Sequence, residues 1–154
     1  MLRTIVDFFS LLLGSLVAGT MFGIWLGYNP AELAAATYVA QQQQAIRALN
    51  VTMPVLGGVT ILLTIIAAML ARDDRTRFAL LMAAALCFLA AGLITRFLNQ
   101  PINAIVMTWS VEAPPANWVQ LRDDWWRWHV VRLAAGLGGL CLLIAAALRR
   151  RSQW

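Results

Sequence analysis

Apolar residues run in four long blocks, at about residues 4–27, 53–71, 78–98 and 129–148, separated by shorter polar segments. Each block lies near the ~20 residues an α-helix needs to cross the hydrocarbon core of a bilayer. The runs are continuous rather than alternating, which favours spanning helices over barrel strands. The pattern predicts an all-α fold: one transmembrane domain over residues 1–154, an integral membrane four-helix bundle with a helical cap outside the cytoplasm. The first block lacks a small-residue cleavage site in the usual context of a signal peptide and reads as a retained first helix. Within it, Ser15, Gly19 and Gly23 recur every four residues as a seam for close helix packing.

The connecting segments carry their own signals. Tyr28-Asn29-Pro30 ends the first span with an interfacial aromatic, an N-cap candidate and a proline suited to the first turn of a new helix. From Ala31 to about Leu49 the pattern is helical but too polar to cross lipid, because Gln41 to Gln44 form an unbroken run; an extramembrane or interfacial helix is expected. Pro54 and Gly57-Gly58 mark a kink or restart, with the second spanning helix beginning before Pro54. Arg72 to Arg77 form a tight charged turn. Pro101, flanked by Asn99 and Asn103, is expected to break or kink the third span and to free carbonyls beside the two asparagines. Arg96, Asn99 and Asn103 share one face if helical geometry continues through that point.

Composition agrees with a membrane chain, at 61% hydrophobic and 12% charged. The formal charge of +5 does not point to nucleic acid, because the basic residues sit in small clusters beside apolar spans, as topology signals do. Arg3, Arg72, Arg75, Arg77 and Arg149 to Arg151 fall on one side of a four-span topology, and Arg47, Arg96, Arg122, Arg127 and Arg132 on the other. The first group is the larger, which puts both termini in the cytoplasm of a multi-pass protein of the cell membrane, expected to be a bacterial inner membrane. Segments 29–53 and 99–128 then face outward and build the cap. Asp7 has Arg3 four residues before it, a pair that can stay hydrated at the interface. Cys87 and Cys141 lie inside separate apolar blocks without CxxC spacing, so neither a disulfide nor a redox role is expected.

The stretch Trp118 to Arg132, WVQLRDDWWRWHVVR, holds four of the seven tryptophans and the sole histidine. At about 100° per residue, Trp118, Arg122, Trp125, His129 and Arg132 fall within an arc of about 80°. Such a ridge needs a polar partner, and Arg96, Asn99 and Asn103 supply one. Gly92 and Gly136, four residues from Arg96 and Arg132, leave room for a helix or a ligand. Tryptophans here are also explained by an interfacial aromatic belt, the preferred reading for Trp126 and Trp128. A lone histidine is commonly a hydrogen-bonded structural residue, but Arg132 three residues on disfavours imidazolium and leaves a neutral ring able to accept a proton. One histidine and no cysteine pair exclude a multi-histidine metal site within one chain, so no metal or cofactor is expected, the alternative being a haem held through His129.

The combination Asn99-x-Pro-Ile-Asn103, Trp109, Trp118 and Arg122-Asp-Asp-Trp125-x-x-Trp128-His129-x-x-Arg132 resembles the anthrone-oxygenase-like family of small four-span membrane proteins. Gly19, Pro30 and Pro54 stand where that family has small and helix-breaking residues. The resemblance implies a membrane oxygenase or oxidase acting on a hydrophobic, anthrone-like aromatic. His129 would then be the general base, with Arg132, Arg96 or an asparagine amide stabilising the enolate oxygen. Asn99, Asn103, Trp109, Trp118, Arg122 and Trp125 would hold the substrate, with Trp118 and Trp125 stacked on its rings. The partners expected are membrane lipid and a hydrophobic small molecule, with self-association left open. Two other classes compete: a non-enzymatic membrane protein binding a lipid, quinone or partner subunit at the same polar face, and an oligomeric anion transporter.

Overall fold

The computed structural model describes residues 1–149, so Arg150 and Arg151, counted in the charge asymmetry, lie outside the described residues. The chain forms α1 (Leu2–Gly27), a 3-10 turn (Pro30–Glu32), α2 (Ala35–Leu49), α3 (Thr52–Leu70), α4 (Arg75–Ile94), a π-helical segment (Thr95–Asn99), α5 (Gln100–Val106) and α6 (Trp118–Arg149), with no strand among the described residues. Four stretches are long and apolar enough to cross a membrane: Leu2–Glu32, Thr52–Leu70, Arg75–Val106 and Trp118–Arg149. The chain is a multi-pass membrane protein built as a helical bundle. Its outer surface carries exposed Leu12, Leu16, Phe22, Leu62, Leu86 and Leu93, an apolar coat suited to lipid tails.

Helix boundaries follow local chemistry. Asn29 Oδ1 accepts from the Ala31 amide at 3.2 Å, so the expected cap and Pro30 do start a helix, but only a single 3-10 turn. Leu33 and Ala34 then run extended, which moves the start of α2 to Ala35. Asp74 Oδ1 accepts from the Arg77 amide and caps α4. Pro54 sits in the first turn of α3, where its missing N–H costs no intrahelical bond, and the helix does begin before it.

At Pro101 the expected irregularity takes a milder form than a break: the chain passes from α4 through a π turn into α5, with the proline in the first turn of α5. A π turn inserts an extra residue per turn and re-phases the helix, absorbing the proline without opening it. Helical geometry therefore continues to Val106.

Within the bundle, Ala67, Ala68, Ala71, Leu81, Ala84, Phe88, Leu143 and Ala146 form an alanine-rich core toward the α3–α4 turn. Small side chains let backbones approach where lipid supplies no hydrophobic drive. The expected seam on α1 is displaced by one residue: Ser15 and Gly19 are exposed and nothing lies near a Cβ built at Gly19 or Gly23, whereas one at Gly14 would sit 2.9 Å from Leu143. Asp7 also differs from expectation. It pairs with Arg77 of α4 at 2.6 Å, and Arg3 reaches Asp73 instead. At the opposite end α2 lies against the bundle, burying Tyr38, Val39, Gln42, Gln43 and Ile46.

Candidate functional site

Between the alanine-rich core and α2 the helices enclose a cavity of about 310 Å³. Phe88, Ile61, Val17 and Met21 contribute apolar wall, α2 contributes Gln41, Gln42, Ala45 and Ile46, and Trp125 and Arg132 project from α6. Pro54 and Gly58 of α3, Gly92 of α4 and Arg96 line the cavity while being exposed themselves, so it opens sideways between those two helices. A Cβ built at Gly57, Gly58 or Gly92 meets no atom within 4 Å, which makes these glycines the rim of an opening. Gly136 does the opposite job, since a Cβ there would run into the Met21 methyl.

The predicted ridge exists, and it is graded in depth. Arg132 lies on the cavity wall. Its Nε and Nη2 donate to His129 Nδ1 at 3.2 and 2.9 Å, its Nη1 donates to Thr95 Oγ1 at 3.3 Å, and its guanidinium carbon sits 5.6 Å from the Trp125 ring centre. Every one of these partners is neutral. Arg96 on the rim has neither ion pair nor hydrogen bond among the described residues, and no carboxylate lines the cavity. Two cations on a largely apolar wall whose other polar side chains are neutral, with no acid beside them, are arranged for a ligand that is or becomes anionic.

His129 stands behind this wall rather than on it: it is fully buried and does not line the cavity. Arginine has no acceptor, so Nδ1 must accept from Arg132, and Nε2 carries the hydrogen and donates to the Met21 carbonyl at 3.1 Å. The ring stacks on Trp125, with centres 5.2 Å apart and planes 2° from parallel, and on Trp126 at 5.4 Å. Both nitrogens are engaged, so axial ligation of a haem would have to displace one of these bonds. No group of three His, Cys, Asp or Glu side chains converges among the described residues.

The asparagines hold the tryptophan. Asn99 Nδ2 donates to the Trp125 carbonyl at 3.0 Å, and Asn103 Oδ1 accepts from Trp125 Nε1 at 2.9 Å. Asn103 Nδ2 is also spent, on Asn50 Oδ1. Asn103 and Trp125 line the cavity and Asn99 does not, so the amides expected to face a substrate instead fix the ring that faces it. Trp109, Trp118 and Arg122 lie off the cavity. The carbonyl of Trp109 accepts from Gln43, while Trp118 packs between Tyr38 and Arg122, and Arg122 pairs with Asp123 at 2.8 Å.

Residues without an obvious sequence signal complete the wall. Tyr28 Oη donates to Gln42 Oε1 at 3.0 Å and its ring meets Trp125 edge to face at 6.3 Å. Gln43 Nε2 donates to the Val106 carbonyl at the end of α5 and to the Trp109 carbonyl in the turn that follows, pinning that turn to α2. The glutamine run thus carries a structural amide and a cavity amide side by side. Its spacing against Tyr38 and Ile46 was the available hint.

A family model described as Anthrone oxygenase matches residues 42–142, about two thirds of the chain. No curated protein and no solved structure matches.

Proposed function

The chain belongs to the anthrone oxygenase family, and from that premise we propose that it is a membrane oxygenase that converts a flat, enolisable aromatic ketone to a quinone inside the bundle cavity. The observation that carries this reading is the apolar cavity with Arg96 and Arg132 on its wall and no carboxylate to neutralise them. A three-ring ketone suits such a space, with Trp125 as a rigid aromatic face. The sideways opening between α3 and α4 suits a substrate that arrives dissolved in lipid.

An anthrone carries an acidic C–H opposite its carbonyl. Loss of that proton places negative charge on the carbonyl oxygen, where Arg132 stabilises it in a dry site. His129 lies behind Arg132, so as the guanidinium turns to the oxyanion it uncovers the buried Nδ1, and that neutral nitrogen then receives the proton. The carbanion form reacts with O2 to give a peroxide at the same carbon. Loss of water leaves the second carbonyl, so one anthrone and one O2 yield one anthraquinone and one water. No cofactor enters this sequence.

The chain would lie in the cell membrane with both termini in the cytoplasm, a reading supported by Arg3, Arg72, Arg75, Arg77 and Arg149 clustering at the α3–α4 turn end. The test is oxygen uptake by the full-length protein in lipid nanodiscs given anthrone, with anthraquinone measured alongside. The wild type should consume one O2 per quinone, and Arg132→Gln should lose about 10²–10³-fold in rate. Uptake no faster than in empty discs removes the oxygenase reading. Ligand binding that survives in that case favours the non-enzymatic membrane binder at the same cations.

A further inference from the structure

Four buried side-chain polar atoms among the described residues have no hydrogen-bond partner: Tyr38 Oη, Gln42 Nε2, Arg77 Nε and Asn99 Oδ1. Of these residues only Gln42 lines the cavity. It is 1% exposed, so water does not solvate it, and leaving an amide N–H2 unmatched in an apolar wall is costly. Neighbouring amides differ. Asn50, Asn103, Gln100 and Gln43 all have partners within the protein. Gln42 is held in place by the Tyr28 hydroxyl on its Oε1, which leaves Nε2 as the unspent end.

We propose that Gln42 Nε2 is a ligand-binding donor that reads a carbonyl or phenolic oxygen of the substrate, as a second polar pole distinct from Arg132. Both poles are set against the Trp125 ring: Tyr28, which anchors Gln42, meets it edge to face with centres 6.3 Å apart, and the Arg132 guanidinium carbon sits 5.6 Å from its centre. The substrate class is therefore narrowed to flat aromatics with two oxygens, one becoming anionic at Arg132 and one accepting from Gln42. This assignment rests on the cavity being the substrate site, as proposed above.

Binding without turnover separates the two ideas. Anthraquinone, with two carbonyl oxygens, and anthracene, with the same rings and none, are titrated anaerobically into the full-length protein in nanodiscs, with partition into empty discs subtracted. Gln42→Met should weaken anthraquinone roughly tenfold and leave anthracene unchanged. Gln42→Asn, which keeps an amide but withdraws the donor by one methylene, should act in the same direction and serves where the Met variant does not fold. An equal loss of both ligands, or no loss of anthraquinone, overturns the role of Gln42 and leaves the oxygenase reading standing. A wild type that binds neither ligand overturns both. Selective binding through Gln42 without oxygen uptake keeps this inference and removes only the oxygenase.

Discussion

Arg132 is held by an imidazole nitrogen, a hydroxyl and an indole face, none of which carries charge. A guanidinium so placed is ready to exchange neutral partners for an oxyanion, because the oxyanion adds a direct charge–charge attraction in a site of low dielectric that the imidazole and hydroxyl do not supply. His129 then has two separable jobs, holding Arg132 and taking the proton. His129→Gln keeps an acceptor for Arg132 but not a base. It should bind anthraquinone as the wild type does while oxygen uptake falls by about 10²-fold or more; His129→Ala should lose both. Uptake retained in His129→Gln would reduce the histidine to a holder of Arg132. The face shared by Trp125, His129 and Arg132 was legible in the sequence because helical phase alone sets it. The direction of Asn99 and Asn103 was not, because an amide looks the same whether it meets a substrate or an indole. Gln42 was hidden in a run of four glutamines, and only the docking face of α2 separates it from Gln43.

The same limit holds for elements. Apolar run length placed all four spanning helices, and Pro101 correctly marked an irregularity, but composition does not distinguish a broken helix from one re-phased by a π turn. The continuity matters to the site, because Asn99 and Asn103, four residues apart on one uninterrupted helical path, both reach Trp125. Glycines likewise mean different things by position. Gly92 faces open space at the rim, whereas a Cβ at Gly139 would press on the Phe88 ring at 3.1 Å. Gly92→Leu should leave thermal unfolding unchanged or slightly raised, since glycine costs a helix about 1 kcal/mol, while slowing anthraquinone association by narrowing the opening. Gly139→Val should destabilise the bundle by about 1–3 kcal/mol through overpacking, with ligand affinity little changed in whatever fraction folds. If Gly92→Leu associates as fast as the wild type, the substrate does not pass between α3 and α4.

For the molecule as a whole, the end opposite α2 is fastened by charge across the helices: Arg77 to Asp7, Arg149 to Asp74 and Arg3 to Asp73. Only the first pair is buried, with side chains 6% and 14% exposed, so the three are unequal. Arg77→Met leaves a carboxylate in the α1–α4 contact and should cost about 3–5 kcal/mol; replacing both partners, as Asp7→Leu with Arg77→Met, should recover most of that loss. A double variant as unstable as the single one would mean that the pair is not the source of the cost. Asp74 adds a pH-dependent contribution at the same end. Its carboxyl is held below the ordinary 3.8, first by the backbone amide of Arg77 and further by Arg149. A carboxyl whose folded value is depressed contributes stability that is fully present above its unfolded value and is lost as pH falls through the folded one. The bundle should therefore weaken only below about the carboxylate range, and Asp74→Asn, which can still cap α4, should flatten that part of the acid limb. An acid limb identical in Asp74→Asn and wild type would shift the effect to the other carboxylates and leave the α4 cap without a role in it.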